Sequence, residues 1–239
     1  MNTSESLTVA AIVPAAGQGT RLGGHTKKQF RPLAGKQLLA HTIERVLAAP
    51  EVRWLVVAVP ETHLDSTHEM ISALLPPEVE LLVTVGGNTR QKSVANALLE
   101  VPVEAQLITV HDAARPCLDP AWISQTAELC RTYDGAIVAI PVVDTLKEVD
   151  LEAGDQGAVV KGTLARKVTW QAQTPQTFRA SVLRGAMASA EESGLTATDE
   201  CCLVEAIGGR VAVVRGSSHN LKITSQEDWE FIEWRLTRV

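Results

Sequence analysis

The sequence predicts a single Rossmann-like three-layer α/β domain over residues 1–239, with a mostly parallel sheet and a protruding β-hairpin arm. Three observations lead there. Short apolar runs at 9–13, 55–59, 81–85, 107–110 and 136–140 alternate with segments of helical spacing, the rhythm of parallel strands joined by crossover helices. With 239 residues and 45% hydrophobic content, the chain can bury a sheet covered on both faces. The alternation then fails from 148 to 169, where Gly154, Asp155 and Gly157 mark a turn between extended segments at about 142–150 and 158–170. That hairpin has too little apolar content to form a domain of its own.

In chain order, the run at 9–13 is too short for a helix and is followed by Pro14, so it reads as a buried strand ending where a ligand can approach. Leu38, Leu39, Ile43, Val46 and Leu47 then lie at helical spacing, stopped by Pro50. A second strand at 55–59 ends at Pro60, a helix over 61–75 is closed by Pro76 and Pro77, and a third strand occupies 81–85. The fourth strand delivers His111-Asp112-Ala113-Ala114-Arg115, and the fifth ends at Pro141. After the arm, residues 170–176 return the chain to the main body and a helix covers 180–192. Thr198 or Asp199 suits a helix N-cap, 211–214 is a further strand, and Ser225 caps a closing helix with Glu227 and Asp228 in its first turn. Ligands in such sheets bind beyond the carboxyl ends of the strands, where the intervening loops fall.

The loop after the first strand, Pro14-Ala15-Ala16-Gly17-Gln18-Gly19, has small side chains and glycines that let backbone N–H groups converge on an anion. Two phosphate cradles fail on it. The dinucleotide pattern meets Leu22 where its third glycine belongs, and the P-loop pattern meets His25 in place of its lysine. Arg21, Lys27, Lys28, Arg31 and Lys36 follow with no carboxylate between Ser6 and Ile43, in a chain of net charge −6. That excess suits a small polyanion; a glycine-containing turn with a solvated basic face reads the stretch as well. The overall charge argues against a nucleic-acid surface. No run approaches a membrane span or a secretory leader, so a soluble, cytoplasmic protein is expected, and its four cysteines make no metal-ligand spacing. Asp112, at the end of a strand, is suited to Mg²⁺ beside phosphate oxygens; a helix cap or an ion pair with Arg115 is the alternative. His111 can satisfy a backbone carbonyl.

P-A-A-G-x-G-x-R followed by K-Q-F resembles the signature of nucleotidyltransferases that join a sugar or polyol phosphate to a nucleoside triphosphate. G-G-x-x-R-x-x-S at 86–93, H-D-A-A-R-P at 111–116, Q-T-P-Q at 173–176 and N-x-K-[IV]-T at 220–224 make the chain most similar to the 2-C-methyl-D-erythritol 4-phosphate cytidylyltransferases. The resemblance implies a Mg²⁺-dependent transfer of CMP from CTP, with Arg21, Lys28 and Lys222 supplying catalytic charge. It implies a nucleotide site at Pro14, Ala15, Ala16, Gly17, Gly19, Gly87, Asn88, Ser93 and Ala113. Asp112, Arg115, Thr145, Arg166, Thr174 and Thr198 would meet the acceptor phosphate, Thr145 and Arg166 reaching the other subunit of a homodimer joined by the arm. Two positions depart from the pattern: Asn88 stands where relatives often have an acid, and Lys27 where they commonly have proline. A ribitol 5-phosphate cytidylyltransferase and a catalytically silent nucleotide-binding regulator are the alternatives.

Overall fold

The computed structural model describes residues 7–17, 27–151 and 157–238. Among these, seven strands form one sheet in the order β11-β7-β10-β6-β1-β4-β5, where β1 is Val9–Pro14, β4 Val52–Val59, β5 Glu80–Val85, β6 Leu107–Val110, β7 Gly135–Pro141, β10 Trp170–Arg179 and β11 Val211–Arg215. All pairings are parallel except those of β10, which runs antiparallel to both β6 and β7. The chain leaves β1 toward β4 and β5 on one side and later returns to β6 on the other. Loops after β1 and β6 therefore flank the point where strand order reverses, the place where open α/β sheets bind ligands.

The strand period explains the layers. Val9, Ala11 and Val13 point to one face with Leu39, Ile43 and Val46 of α1 (Leu38–Leu47), Ile71 of α2 (Leu64–Ser72) and Ile123 of α4 (Ala121–Leu129). Ala10 and Ile12 point to the other, against Val94 and Ala97 of α3 (Arg90–Glu100), Leu183 and Met187 of α5 (Ala180–Ser193) and Leu203 of α6 (Glu200–Ala206). A third cluster packs Trp229 and Ile232 of α7 (Gln226–Leu236) on Leu33, Leu38 and Ile223. It brings the 220–224 segment back to the strand ends. Ser225 caps α7 in a capping box with Asp228, and Asp199, rather than Thr198, caps α6 by accepting from the Cys202 N–H.

The arm is a two-stranded antiparallel ribbon, β8 (Lys147–Asp150) paired with β9 (Val159–Thr163), shorter than the extended segments expected. Gly154 and Asp155 of its expected turn lie outside the described residues. Val149, Val159, Val160, Leu164, Val168 and Trp170 expose apolar surface along it. The small antiparallel pair β2 (Pro32–Leu33) and β3 (Lys36–Gln37) completes the described strands.

Candidate active site

Three loops build a cleft of about 470 Å³ at the carboxyl ends of β1, β5 and β6. After β1, the Ala15 N–H donates to Ala58 O at 2.7 Å, and the buried Gln29 amide donates to Ala15 O at 2.5 Å and Gly17 O at 3.1 Å. The K-Q-F segment thus holds the small-residue loop from beneath. After β5, Gly86 is pressed against this loop, since a Cβ there would overlap the Cβ of Ala16. Ser93 accepts from the Gly87 N–H at 3.0 Å and donates to Thr89 O at 2.8 Å, fixing the turn into α3. Pro14, Ala15, Ala16, Gly17, Gly87, Asn88, Ser93 and Ala113 all line the cleft. Gly19 and Arg21 lie outside the described residues.

The floor of the cleft is an ionic cluster. Asp112, 6% exposed, takes Arg90 Nε on Oδ1 at 3.0 Å and Lys222 Nζ on Oδ2 at 2.9 Å, with Arg115 Nε 3.5 Å from Oδ2. Burial opposes its ionisation, but Arg90, Lys222 and Arg115 together hold the carboxyl well below the usual carboxylate range. Arg90 spends its other two nitrogens on Glu200, at 2.7 and 2.9 Å. Lys28 donates to Ile223 O at 2.6 Å, so both site lysines meet on the irregular 220–224 segment, and Lys222 lines the cleft.

A second pocket of about 240 Å³ adjoins the first and shares Arg90, Asp112 and Lys222 with it. Arg115, Gln173, Thr174, Gln176, Thr198 and Asp199 complete its polar wall, with the Asp199 carboxylate held by the Gln176 amide at 2.9 Å and the Cys202 N–H at 3.0 Å. Behind it, His111 Nε2 faces Arg115 O at 3.0 Å, so Nε2 carries the hydrogen and Nδ1 accepts from Thr174 Oγ1 at 3.0 Å. Burial pushes His111 down to about 4, which keeps the ring neutral in this arrangement near pH 7. Thr174 Oγ1 in turn accepts from the Asp112 N–H at 3.1 Å. Its hydroxyl hydrogen is therefore committed to the ring, and it supports Asp112 from behind.

The sequence profile of 2-C-methyl-D-erythritol 4-phosphate cytidylyltransferases matches residues 9–238, nearly the whole chain. The chain belongs to this family. A protein of that name from Acidobacterium capsulatum is 41% identical over 236 residues, covering 96% of this chain and 98% of its own. Among solved structures, the 2-C-methyl-D-erythritol 4-phosphate cytidylyltransferase of Thermus thermophilus is 31% identical with a TM-score of 0.74, covering 98% of this chain and 100% of its own. The 4-diphosphocytidyl-2C-methyl-D-erythritol synthase of Anaerococcus prevotii superposes with a TM-score of 0.82 at 25% identity, again over 98% and 100% of the two chains.

Of the residues that resemblance to the cytidylyltransferase family singles out, Lys28, Lys222, Asp112, Arg115, Thr174 and Thr198 converge within the two pockets. Thr145 and Arg166 do not. Both are exposed on the arm, where Arg166 donates to Val143 O at 3.1 Å. No sequence signal assigns Glu200 a role, yet it is 1% exposed and clamps Arg90. Gln29 was passed over as well. Its place inside the K-Q-F motif, directly after Lys28, was the available signal.

Proposed function

We propose that this chain transfers the cytidylyl group of CTP to the 4-phosphate of 2-C-methyl-D-erythritol 4-phosphate, releasing pyrophosphate, a step of non-mevalonate isoprenoid precursor synthesis. The observation that carries the reading is the pair of adjoining pockets sharing Arg90, Asp112 and Lys222. CTP fits the larger, the polyol phosphate the smaller, and their reacting phosphates meet where the pockets join. An acceptor phosphate oxygen forms a bond to the α-phosphorus in line as the bond to pyrophosphate breaks. An ionised phosphate needs no general base, so the protein positions two polyanions and meets charge that builds on the α-phosphate and leaving group. Lys28, Lys222 and Arg21 are assigned to that charge. Arg115 and Thr198 bind the acceptor phosphate, with Thr174 lending its remaining lone pair and its methyl to the pocket wall.

Asp112 is the one carboxylate among the described residues lining the larger cleft. A single ionised carboxylate plus triphosphate oxygens suits Mg²⁺, a hard cation that keeps water and shares phosphate ligands, so Asp112 fits as its protein ligand. Bound there, the ion would neutralise phosphate charge. Asp112→Asn should raise the Mg²⁺ concentration for half-maximal rate, and an unchanged titration would move the metal elsewhere.

The exposed apolar ribbon β8–β9 supports a homodimer, since such a ribbon is marginal alone and an isologous contact buries it. Dimerisation would deliver Thr145 and Arg166 to the partner's acceptor pocket. No described helix is long and apolar enough to cross a membrane. A cytoplasmic location belongs to the same reading, and the net charge of −6 argues against a nucleic-acid surface. The family match favours methylerythritol phosphate over ribitol 5-phosphate as acceptor. Pyrophosphate release measured with CTP and each polyol phosphate tests this: turnover with the methylerythritol ester is expected, and preference for the ribitol ester would overturn it.

A further inference from the structure

Cytidylyl transfer asks Lys222 to act on a phosphate, yet its Nζ lies 2.9 Å from Asp112 Oδ2. When Lys222 turns to the nucleotide, Asp112 keeps its burial and loses a cation, so the direction it presents to Mg²⁺ and phosphate rests on Arg90 and on Arg115, itself assigned to the acceptor. Arg90 is the cation placed to remain. Its Nε donates to Asp112 Oδ1 at 3.0 Å, while Nη1 and Nη2 donate to the two oxygens of Glu200 at 2.7 and 2.9 Å, a fork geometry that fixes the guanidinium plane. Glu200 lines neither pocket, so its described route to the chemistry runs through Arg90. The two residues open α6 and α3, the helices that follow the acceptor-side and nucleotide-side loops.

We propose that Glu200 is a positioning residue for cytidylyl transfer: it locks Arg90 in the pose that keeps Asp112 compensated and oriented while Lys222 moves to the phosphate. The proposal rests on the transfer reaction above and deepens it. Without the Glu200 charge, Arg90 regains donors beside the triphosphate. It would then bind ground-state phosphate oxygens, strengthening CTP binding without helping the transition state.

The test compares steady-state kinetics of wild type, Glu200→Gln, Asp112→Asn and the double variant with CTP and 2-C-methyl-D-erythritol 4-phosphate. Glu200→Gln should lower kcat about 10- to 100-fold, the range found for partners that orient a functional ligand, with KM for CTP unchanged or lower. In the Asp112→Asn background the same change should cost less than about twofold, because its route is already cut, whereas a loss of folded enzyme would multiply. A kcat near wild type for Glu200→Gln, or full multiplication in the double variant, overturns the proposal. Should Glu200→Gln not fold, Arg90→Gln with Glu200→Gln removes both charges of that pair together, while Lys222 and Arg115 still compensate Asp112 in the free enzyme. That pair should melt cooperatively yet turn over slowly, and wild-type turnover in it also overturns the proposal. An inactive wild type would instead count against the transfer reaction itself.

Discussion

Replacing Asp112 by Asn removes one negative charge from a cluster in which Arg90, Arg115 and Lys222 surround it. Breaking a buried ion pair by removing one partner costs about 3–5 kcal/mol. The side chains of Arg90 and Lys222 are 26% and 35% exposed, so water screens the released cations and the lower end applies, about 3 kcal/mol. For 239 residues, each kcal/mol lowers Tm by about 2–4 °C, so the variant should melt about 6–12 °C below wild type. The pH dependence sharpens the test. Asp112 has its folded pKa held below its unfolded value, so its contribution is fully present above pH about 4 and is lost as pH falls through the folded pKa. His111, buried and held at about 4 in the fold, makes both proteins less stable as pH falls from its unfolded value of about 6.5 to about 4. That loss is worth up to about 3 kcal/mol. Scanning calorimetry between pH 5 and 7 should therefore find both Tm values falling with acid while the gap between them stays constant. A variant melting within about 2 °C of wild type would show instead that the three cations do not depend on Asp112.

Lys28→Ala and Lys222→Ala should each lower kcat by about 10² or more with a smaller change in KM for CTP, since both are assigned to charge that develops during transfer; near-normal kcat in folded protein removes the assignment. Gly86→Ala drives a methyl into Ala16, which has no rotamer to yield, so melting should show a loss of about 1–3 kcal/mol and kinetics a raised KM for CTP; an unchanged KM would mean the two loops do not shape the nucleotide cleft. Arg166→Ala and Lys28→Ala homodimers should each be weak, and subunit exchange between them should restore up to about half of the sites, because one site of each heterodimer then receives both intact groups. Mixing without recovery would place Arg166 in its own chain's site.

The strands that bear the loops were legible because β1, β4, β6 and β7 are largely buried on both faces and carry almost unbroken apolar runs, and the part-buried edge strand β5 still reads as a short apolar run. β10 was not. Its sequence W-Q-A-Q-T-P-Q-T-F-R is polar and holds Pro175, which removes a ladder donor and argues against a central strand. The structure accommodates the proline where pairing with β7 skips from Ala172 to Gln176, and Gln176 is satisfied in the interior by Asp199 and the Cys201 N–H. The helix expected over 61–75 is shorter because a 3-10 turn, Glu61–His63, precedes α2. Within the site, residues on strand-end loops were legible by position: Ala15, Ala16, Gly87 and Asp112 fall beyond carboxyl ends. Glu200 was not, since it lies 110 positions from Arg90 in the chain and nothing local distinguishes a clamp from a first-turn acid. The ion-pair alternative for Asp112 was visible through Arg115, but the closer partners, Arg90 and Lys222, come together only through the sheet order.

Whether two polyanions react where the pockets meet can be read by following the reaction with ³¹P NMR. With CTP, Mg²⁺ and 2-C-methyl-D-erythritol 4-phosphate, the acceptor's monoester signal should give way to a pair of coupled diphosphate signals as pyrophosphate appears in equal amount. Loss of CTP without consumption of the acceptor, or release of orthophosphate in place of pyrophosphate, would contradict that reaction.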